Sequence, residues 1–217
     1  MIYPDLKNKK VIVTGSNRGI GKSIVKAFLE NESHVVALYR NELPVYSKKY
    51  PSLELLKVDI RDFVTLKNYF EANPQIDILI NNAAVYEDQK LLETDEESWD
   101  RIMNINLKST FFLSQLVAKQ MINNGGGSII NAASFAITLA SLNFGIYAAS
   151  KTALESLTKT MAAEFAPYNI RVNAFSPGVI KTDMTRDLRK KHTELMLETI
   201  SLNRFGEANE VAKAVLF

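Results

Sequence analysis

The sequence predicts an α/β fold, a doubly wound parallel sheet flanked by helices on both faces. Three observations carry that prediction. Short β-branched or apolar runs alternate along the chain with amphipathic helical segments, the order that parallel strands joined by crossover helices require. The run ending at Asn81 is near-continuously apolar, as in a strand covered on both sides. A glycine-bearing turn separates the first strand from the first helix.

Taken in order, Lys10–Thr14 reads as the first strand, and Ile20, Ile24, Ala27 and Phe28 mark one face of the helix after it. His34–Tyr39 is the second strand and residues 53–58 the third. Asp62 caps a helix running to about Phe70, with Phe63, Leu66 and Phe70 on its buried side. Residues 75–81 form the fourth strand. Thr94-Asp95-Glu96-Glu97 matches a capping box with Thr94 as N-cap, and Trp99, Ile102 and Met103 follow at helical spacing. A further helix fills residues 107–122, Gly125 to Gly127 close it, and a strand occupies 128–132. A long helix over 147–165 precedes a strand over 170–176, which Pro177-Gly178 ends. Residues 179–202 are charged and weakly periodic, in the manner of a mobile lid, and a last helix begins at Glu207.

A length of 217 residues makes about 1.4 on the ~150-residue prior, so one domain over residues 1–217 is the expectation. Lys and Arg number 26 against 24 Asp and Glu, and their scatter argues against a nucleic-acid partner, which draws basic residues into a stripe. The sequence has no cysteine, which excludes disulfides, thiolate nucleophiles and cysteine-held metal, and fits a reducing compartment. With His34 and His192 the only histidines, no metal site is expected. No secretory leader is visible at the N-terminus. The uncharged stretch over 120–150 is interrupted by three glycines and by Asn131, Ser134, Thr138, Ser141 and Asn143, so no membrane segment is expected and the location is read as cytoplasmic.

The first strand runs into Thr14-Gly15-Ser16-Asn17-Arg18-Gly19-Ile20-Gly21, spaced GxxxGxG. Glycines here let backbone approach an anion at a helix N-terminus; the alternative is a plain strand-to-helix turn. No GK[ST] follows, which disfavours a nucleoside triphosphatase loop. The second strand ends in Tyr39-Arg40-Asn41 without the carboxylate that binds an NAD ribose. Arg40, with Arg18 in the glycine turn, suits a ribose 2′-phosphate, so NADP(H) is favoured over NAD unless both arginines are solvated surface charges.

Tyr147 and Lys151 stand one helical turn apart on one face. A neighbouring ammonium lowers a phenol's pKa, which makes Tyr147 a general acid for a developing alkoxide. Ser134 follows a strand end at the same sheet edge, where open α/β sheets bind ligands. His34 and His192 are the only candidates for a Ser-His triad, and Ser134 sits in no nucleophile elbow such as GxSxG, so a hydrolase is disfavoured.

With TGSNRGIG at 14–21, Asp59 after the third strand, NNAA at 81–84, Asn106 in MNINL, Ser134 in NAAS, YAASK at 147–151 and RVNAFSPGVIKTDM at 171–184, the chain resembles the single-domain short-chain dehydrogenases/reductases. It is most similar in pattern to bacterial 3-oxoacyl-[acyl-carrier-protein] reductases, from residue 9 to residue 217. The resemblance implies a Rossmann-like fold and hydride transfer between NADP(H) and a carbonyl or secondary alcohol, with a 3-oxoacyl thioester as one candidate substrate. It implies that Tyr147 moves the proton, that Lys151 holds the nicotinamide ribose and depresses the Tyr147 pKa, that Ser134 hydrogen-bonds the substrate oxygen, and that Asn106 holds a relay water. It places Gly15, Ser16, Asn17, Arg18, Gly19, Ile20, Gly21, Arg40, Asp59, Ile60, Asn82, Ala83, Pro177, Gly178, Ile180 and Thr182 around the coenzyme, with Asp59 at the adenine amino group and Ile180 and Thr182 over the nicotinamide amide. A homo-dimer or homo-tetramer is the implied assembly. From the residues alone, Asn106 also reads as a helix N-cap, Asp59 as a turn cap, and Trp99 and Phe111-Phe112 as core or subunit contacts.

Two departures are visible. Ala84 stands where the family has glycine, which is tolerable unless its φ is positive. The sequence ends in the last helix, where relatives continue into one more strand and a tail, so the expectation is a fold lacking that strand, with weakened assembly and activity. The alternative function is a dinucleotide-binding protein with little or no turnover. Residues 85–92, 135–145 and 184–201 are expected to shape the substrate pocket.

Overall fold

In the computed structural model, which describes residues 3–46, 50–138 and 140–217, six strands form a single sheet. They are β1 (Lys10–Thr14), β2 (His34–Tyr39), β3 (Leu53–Lys57), β4 (Ile78–Asn81), β5 (Gly127–Ala132) and β6 (Ile170–Phe175). Every neighbouring pair is parallel, in the order β3-β2-β1-β4-β5-β6. The order reverses between β1 and β4, and a crevice opens beyond the carboxyl ends of those two strands. Among the described residues, β6 is the outermost strand and pairs with β5 alone. Among the described residues, seven α-helices connect and cover the sheet: α1 (Gly19–Glu30), α2 (Phe63–Ala72), α3 (Glu96–Met103), α4 (Ser109–Asn123), α5 (Gly145–Phe165), α6 (Arg186–Thr199) and α7 (Ala208–Leu216). Among the described residues, no helix is long and apolar enough to cross a membrane.

The two-residue period of a strand explains why both faces are dry. Ile12, Val36 and Leu38 point to one face, where Leu66 and Phe70 of α2, Leu113, Val117 and Met121 of α4 and Met161 of α5 close over them. Val11, Val13, Val35 and Ala37 point to the other and meet Ile24, Val25 and Phe28 of α1 with Ala212, Val215 and Leu216 of α7. The functional edge therefore hangs from a rigid double-sided core.

Several boundaries differ from the sequence reading, each for a local reason. β4 starts at Ile78 rather than 75, because its ladders to the neighbouring strands begin opposite Val11 and Ser128. Asp77 instead bridges the strand starts, its carboxylate accepting from Lys10 N at 2.8 Å and Lys9 Nζ at 2.9 Å. Asp95, not Thr94, caps α3, accepting from Ser98 N at 2.8 Å. Phe63 of α2 is only partly buried and packs on Phe112, 5.3 Å between ring centroids. The charged 179–202 stretch contains a helix, α6, broken at His192 (φ −134°, ψ 27°). Glu207 caps α7 in a reciprocal box with Glu210, which Arg204 holds through two hydrogen bonds of 2.9 and 2.6 Å. Ala84 is not among the positive-φ residues, so its methyl is compatible with the backbone. Residue 139, inside the 135–145 stretch, lies outside the described residues.

Candidate active site

The crevice is a cleft of about 300 Å³. Its floor is the turn between β1 and α1. Gly15 and Gly19 adopt φ of +64° and +54°, which side-chain-bearing residues rarely take. Gly21 has no room for a methyl: a Cβ there would lie 2.2 Å from Gly15 O. Arg18 occupies the α1 N-cap with no side-chain capping bond, and Gly19, Ile20 and Gly21 of the first turn line the cleft. That bare helix start beside close-approach glycines fits a pyrophosphate.

The opposite wall is tied to this turn. Thr14 Oγ1 accepts from Asn82 N and Ala83 N, both at 2.9 Å, and Asn82 Nδ2 donates to Thr14 O at 3.0 Å and Gly15 O at 3.2 Å. At the end of β2, Arg40 lines the cleft with Asp59 and Ile60. Arg61 grips Asp59 with Nε at 3.0 Å and Nη2 at 2.7 Å, holding its carboxyl below the usual carboxylate range, while Arg40 Nη1 stands 3.9 Å away.

The chemistry-bearing side chains converge at the far end. Ser134 leaves the carboxyl end of β5 and caps a short 3₁₀ turn, its Oγ accepting from Ala136 N at 3.2 Å. It also hydrogen-bonds the Tyr147 phenol, in the first turn of α5. Burial raises the Tyr147 pKa, and the Ser134 bond offsets this in part. Lys151, one turn on, is 2% exposed, donates from Nζ to Ala132 O at 2.6 Å, and lies 5.8 Å from the Tyr147 ring centroid. Burial lowers its pKa to about 8.

Asn106 sits behind this group in a π turn, Asn104–Lys108, that joins α3 to α4 in one helical run. The turn aims its side chain away from its own helix. Oδ1 accepts from Val85 N at 2.9 Å, and Nδ2 donates to Val85 O at 2.9 Å and to Ser150 Oγ at 3.1 Å. Ser150 Oγ in turn donates to Tyr147 O at 2.7 Å. One fully buried amide thus fixes the loop after β4 and the first turn of α5 together.

The comparisons agree with this geometry. Residues 9–193 match the family model described as short chain dehydrogenase. The chain belongs to the short-chain dehydrogenase/reductase family. It is 38% identical to an L-xylulose reductase of Mesocricetus auratus, covering 98% of this chain and 89% of that protein. It is 36% identical to a 3-oxoacyl-[acyl-carrier-protein] reductase of Thermotoga maritima, covering 98% and 90%. A solved structure from Agrobacterium tumefaciens, provisionally named 2-deoxy-D-gluconate 3-dehydrogenase and holding NADP, superposes with a TM-score of 0.89 at 31% identity, covering 98% and 89%.

Within this short-chain dehydrogenase/reductase, the structure redistributes some sequence-derived positions. Asn17, Gly19, Ile20, Asn82, Ala83, Pro177 and Thr182 line the cleft as expected from the motifs. Ser16 does not: its side chain is fully buried and donates to Leu38 O at 2.9 Å, stitching the turn to β2. Gly178 is exposed and Ile180 is buried in a bridge to Gly206, so neither forms cleft wall. The Lys151 ammonium does not bring the Tyr147 pKa down here, because burial of the phenol prevails and Nζ is committed to Ala132 O. Asn106 is a π-turn residue rather than a helix N-cap. Sequence reasoning missed Glu42, which lines the cleft three residues past β2, and the bracing roles of Thr14 and Ser150. Thr14 had a signal, its place directly before Gly15; Ser150 sits inside the Tyr-to-Lys motif but shows its role only in three dimensions.

Proposed function

We propose that this protein is an NADP(H)-dependent oxidoreductase that interconverts a carbonyl and a secondary alcohol. The observation that carries the reading is Tyr147 and Lys151, one turn apart on α5, lining the same cleft as the glycine turn and Arg40, with Ser134 hydrogen-bonded to the phenol. A nicotinamide coenzyme, when bound, supplies or accepts the hydride. Gly15 to Gly21 and the α1 amides hold its pyrophosphate, and Arg40 with Arg18 takes the 2′-phosphate. In the direction of reduction, Ser134 Oγ donates a hydrogen bond to the carbonyl oxygen and positions it against Tyr147. As negative charge grows on that oxygen, the Tyr147 O–H bond breaks and the proton passes to it, completing the alcohol. The raised Tyr147 pKa suits this, since it keeps the phenol protonated at neutral pH. Lys151 carries its ammonium next to the phenolate left behind, and Asn106 holds the α5 turn that presents both groups.

The Agrobacterium structure holding NADP supports the coenzyme reading, and the named relatives act on a keto-sugar and on a 3-oxoacyl thioester. The shared chemistry is a ketone flanked by polar substituents, and a 3-oxoacyl thioester is retained as one candidate. A homo-oligomer belongs to the same reading, with the exposed rings of Trp99 and Phe112 as candidate contacts. The test is loss of NADPH absorbance with a panel of acetoacetyl thioesters, keto-sugars and simple ketones. Turnover of any of these is expected; NADPH binding without consumption of any would favour a dinucleotide-binding protein instead.

A further inference from the structure

We propose that Arg61 is a positioning residue for coenzyme choice: by holding both carboxylate oxygens of Asp59, it leaves Arg40 free to meet a 2′-phosphate. The inference rests on the coenzyme reading above and deepens it. Arg40, Asp59 and Arg61 form a three-charge cluster at the end of the adenosine side of the cleft, two cations around one carboxylate. The partition is uneven. Arg61 makes a planar two-pronged contact, Nε to Oδ1 at 3.0 Å and Nη2 to Oδ2 at 2.7 Å, and its backbone N adds a third bond to Oδ1 at 2.9 Å. Arg40 stays 3.9 Å from Oδ2, outside hydrogen-bond range.

Arg61 itself does not line the cleft, whereas Arg40 and Asp59 do. Its influence on a bound coenzyme therefore passes through Asp59. A carboxylate that lost its fork would turn to the next guanidinium, and that is Arg40. The pair so formed would pull Arg40 toward Asp59 and cancel the charge that a 2′-phosphate needs, with the exposed Glu42 in the same cleft adding a second negative group. Asp59 keeps one acceptor position, on Oδ2, even when forked, since each carboxylate oxygen accepts two bonds and Oδ1 already accepts two from Arg61, so Arg61 need not displace a ligand from it.

The experiment measures kcat/KM for NADPH and for NADH in the intact protein, its Arg61→Ala, Arg61→Lys and Arg40→Ala variants, and the Arg40→Ala/Arg61→Ala double variant. Arg61→Ala should lower the NADPH-to-NADH preference about fivefold, the size one exposed charge pair commands, through a higher KM for NADPH rather than a lower kcat. Arg61→Lys should lose less than half as much. The double variant should match Arg40→Ala alone, because Arg61 acts through Arg40. If Arg40→Ala lowers the preference and Arg61→Ala leaves it within twofold, this inference fails and the coenzyme reading stands. If Arg40→Ala leaves the preference unchanged, the coenzyme reading fails and this inference with it.

Discussion

Gly21→Ala tests the link between backbone geometry and coenzyme binding. On helix propensity alone the change should stabilise α1 by about 1 kcal/mol. Its new methyl would lie 2.2 Å from Gly15 O and 2.5 Å from Asn82 Nδ2, where ordinary contact begins at 3.4 Å, so the turn must retreat by about 1 Å. Overpacking of that kind costs about 1–3 kcal/mol, and moving Asn82 weakens its bonds to Thr14 O and Gly15 O, each worth about 1 kcal/mol. The net is a loss of about 2 kcal/mol, or about 4–8 °C in Tm for a chain of this size. Because the retreating atoms form the floor of the cleft, NADPH affinity should fall at least about tenfold, which is ~1.4 kcal/mol. Thermal melting and fluorescence titration with NADPH measure the two effects. Gly178→Ala is the control: a methyl there meets nothing within 4 Å, so both readouts should stay at wild-type values. A Gly21→Ala protein that melts at the wild-type temperature and binds NADPH within twofold would refute the argument.

Two further outcomes follow from the bracing and the charges. Asn106→Ala strips partners from Val85 N, Val85 O and Ser150 Oγ in a fully buried site, so a stability loss of about 2–4 kcal/mol is expected by urea denaturation. Asn106→Asp, which keeps only the acceptor, should recover less than half of it; equal stability of all three proteins would contradict the role given to this amide. For pH, the Lys151 pKa of about 8 lies below its ordinary value of 10.5, so the ammonium is lost as pH rises through 8, while the raised Tyr147 pKa keeps the phenol protonated there. Reductive kcat/KM should therefore be flat from about pH 6 to 7 and fall above pH 8; a rate that climbs between pH 7 and 9 would contradict it.

The strands and the glycine turn were legible because their signals are local. Alternating side chains in KVIVT and HVVALY divide between two cores as a two-residue period demands, and the glycines stand where backbone must pass close or turn left-handed. The Ser134, Tyr147 and Lys151 grouping was legible only through the joint motif pattern, since Tyr and Lys four residues apart are common. What sequence did not disclose depends on partners distant in the chain. Ser16 looks like any turn residue until Leu38 O is found beside it, and the π turn at Asn106 leaves no periodic mark of its own. The raised Tyr147 pKa belongs with these: sequence shows a lysine one turn away, but not the burial that dominates the phenol. Arg61 reads as surface charge until its fork on Asp59 is in view.

The central claim is that Tyr147 hands its proton to the substrate oxygen as hydride arrives. Single-turnover hydride transfer by the Tyr147→Phe protein, measured with saturating NADPH and whichever carbonyl the panel selects, addresses it directly. Transfer should slow by about 10²–10⁴-fold, the usual contribution of a general acid, while NADPH affinity stays within twofold of wild type. Transfer within tenfold of wild type by that variant would remove the proton donor from the account and the proposed chemistry with it.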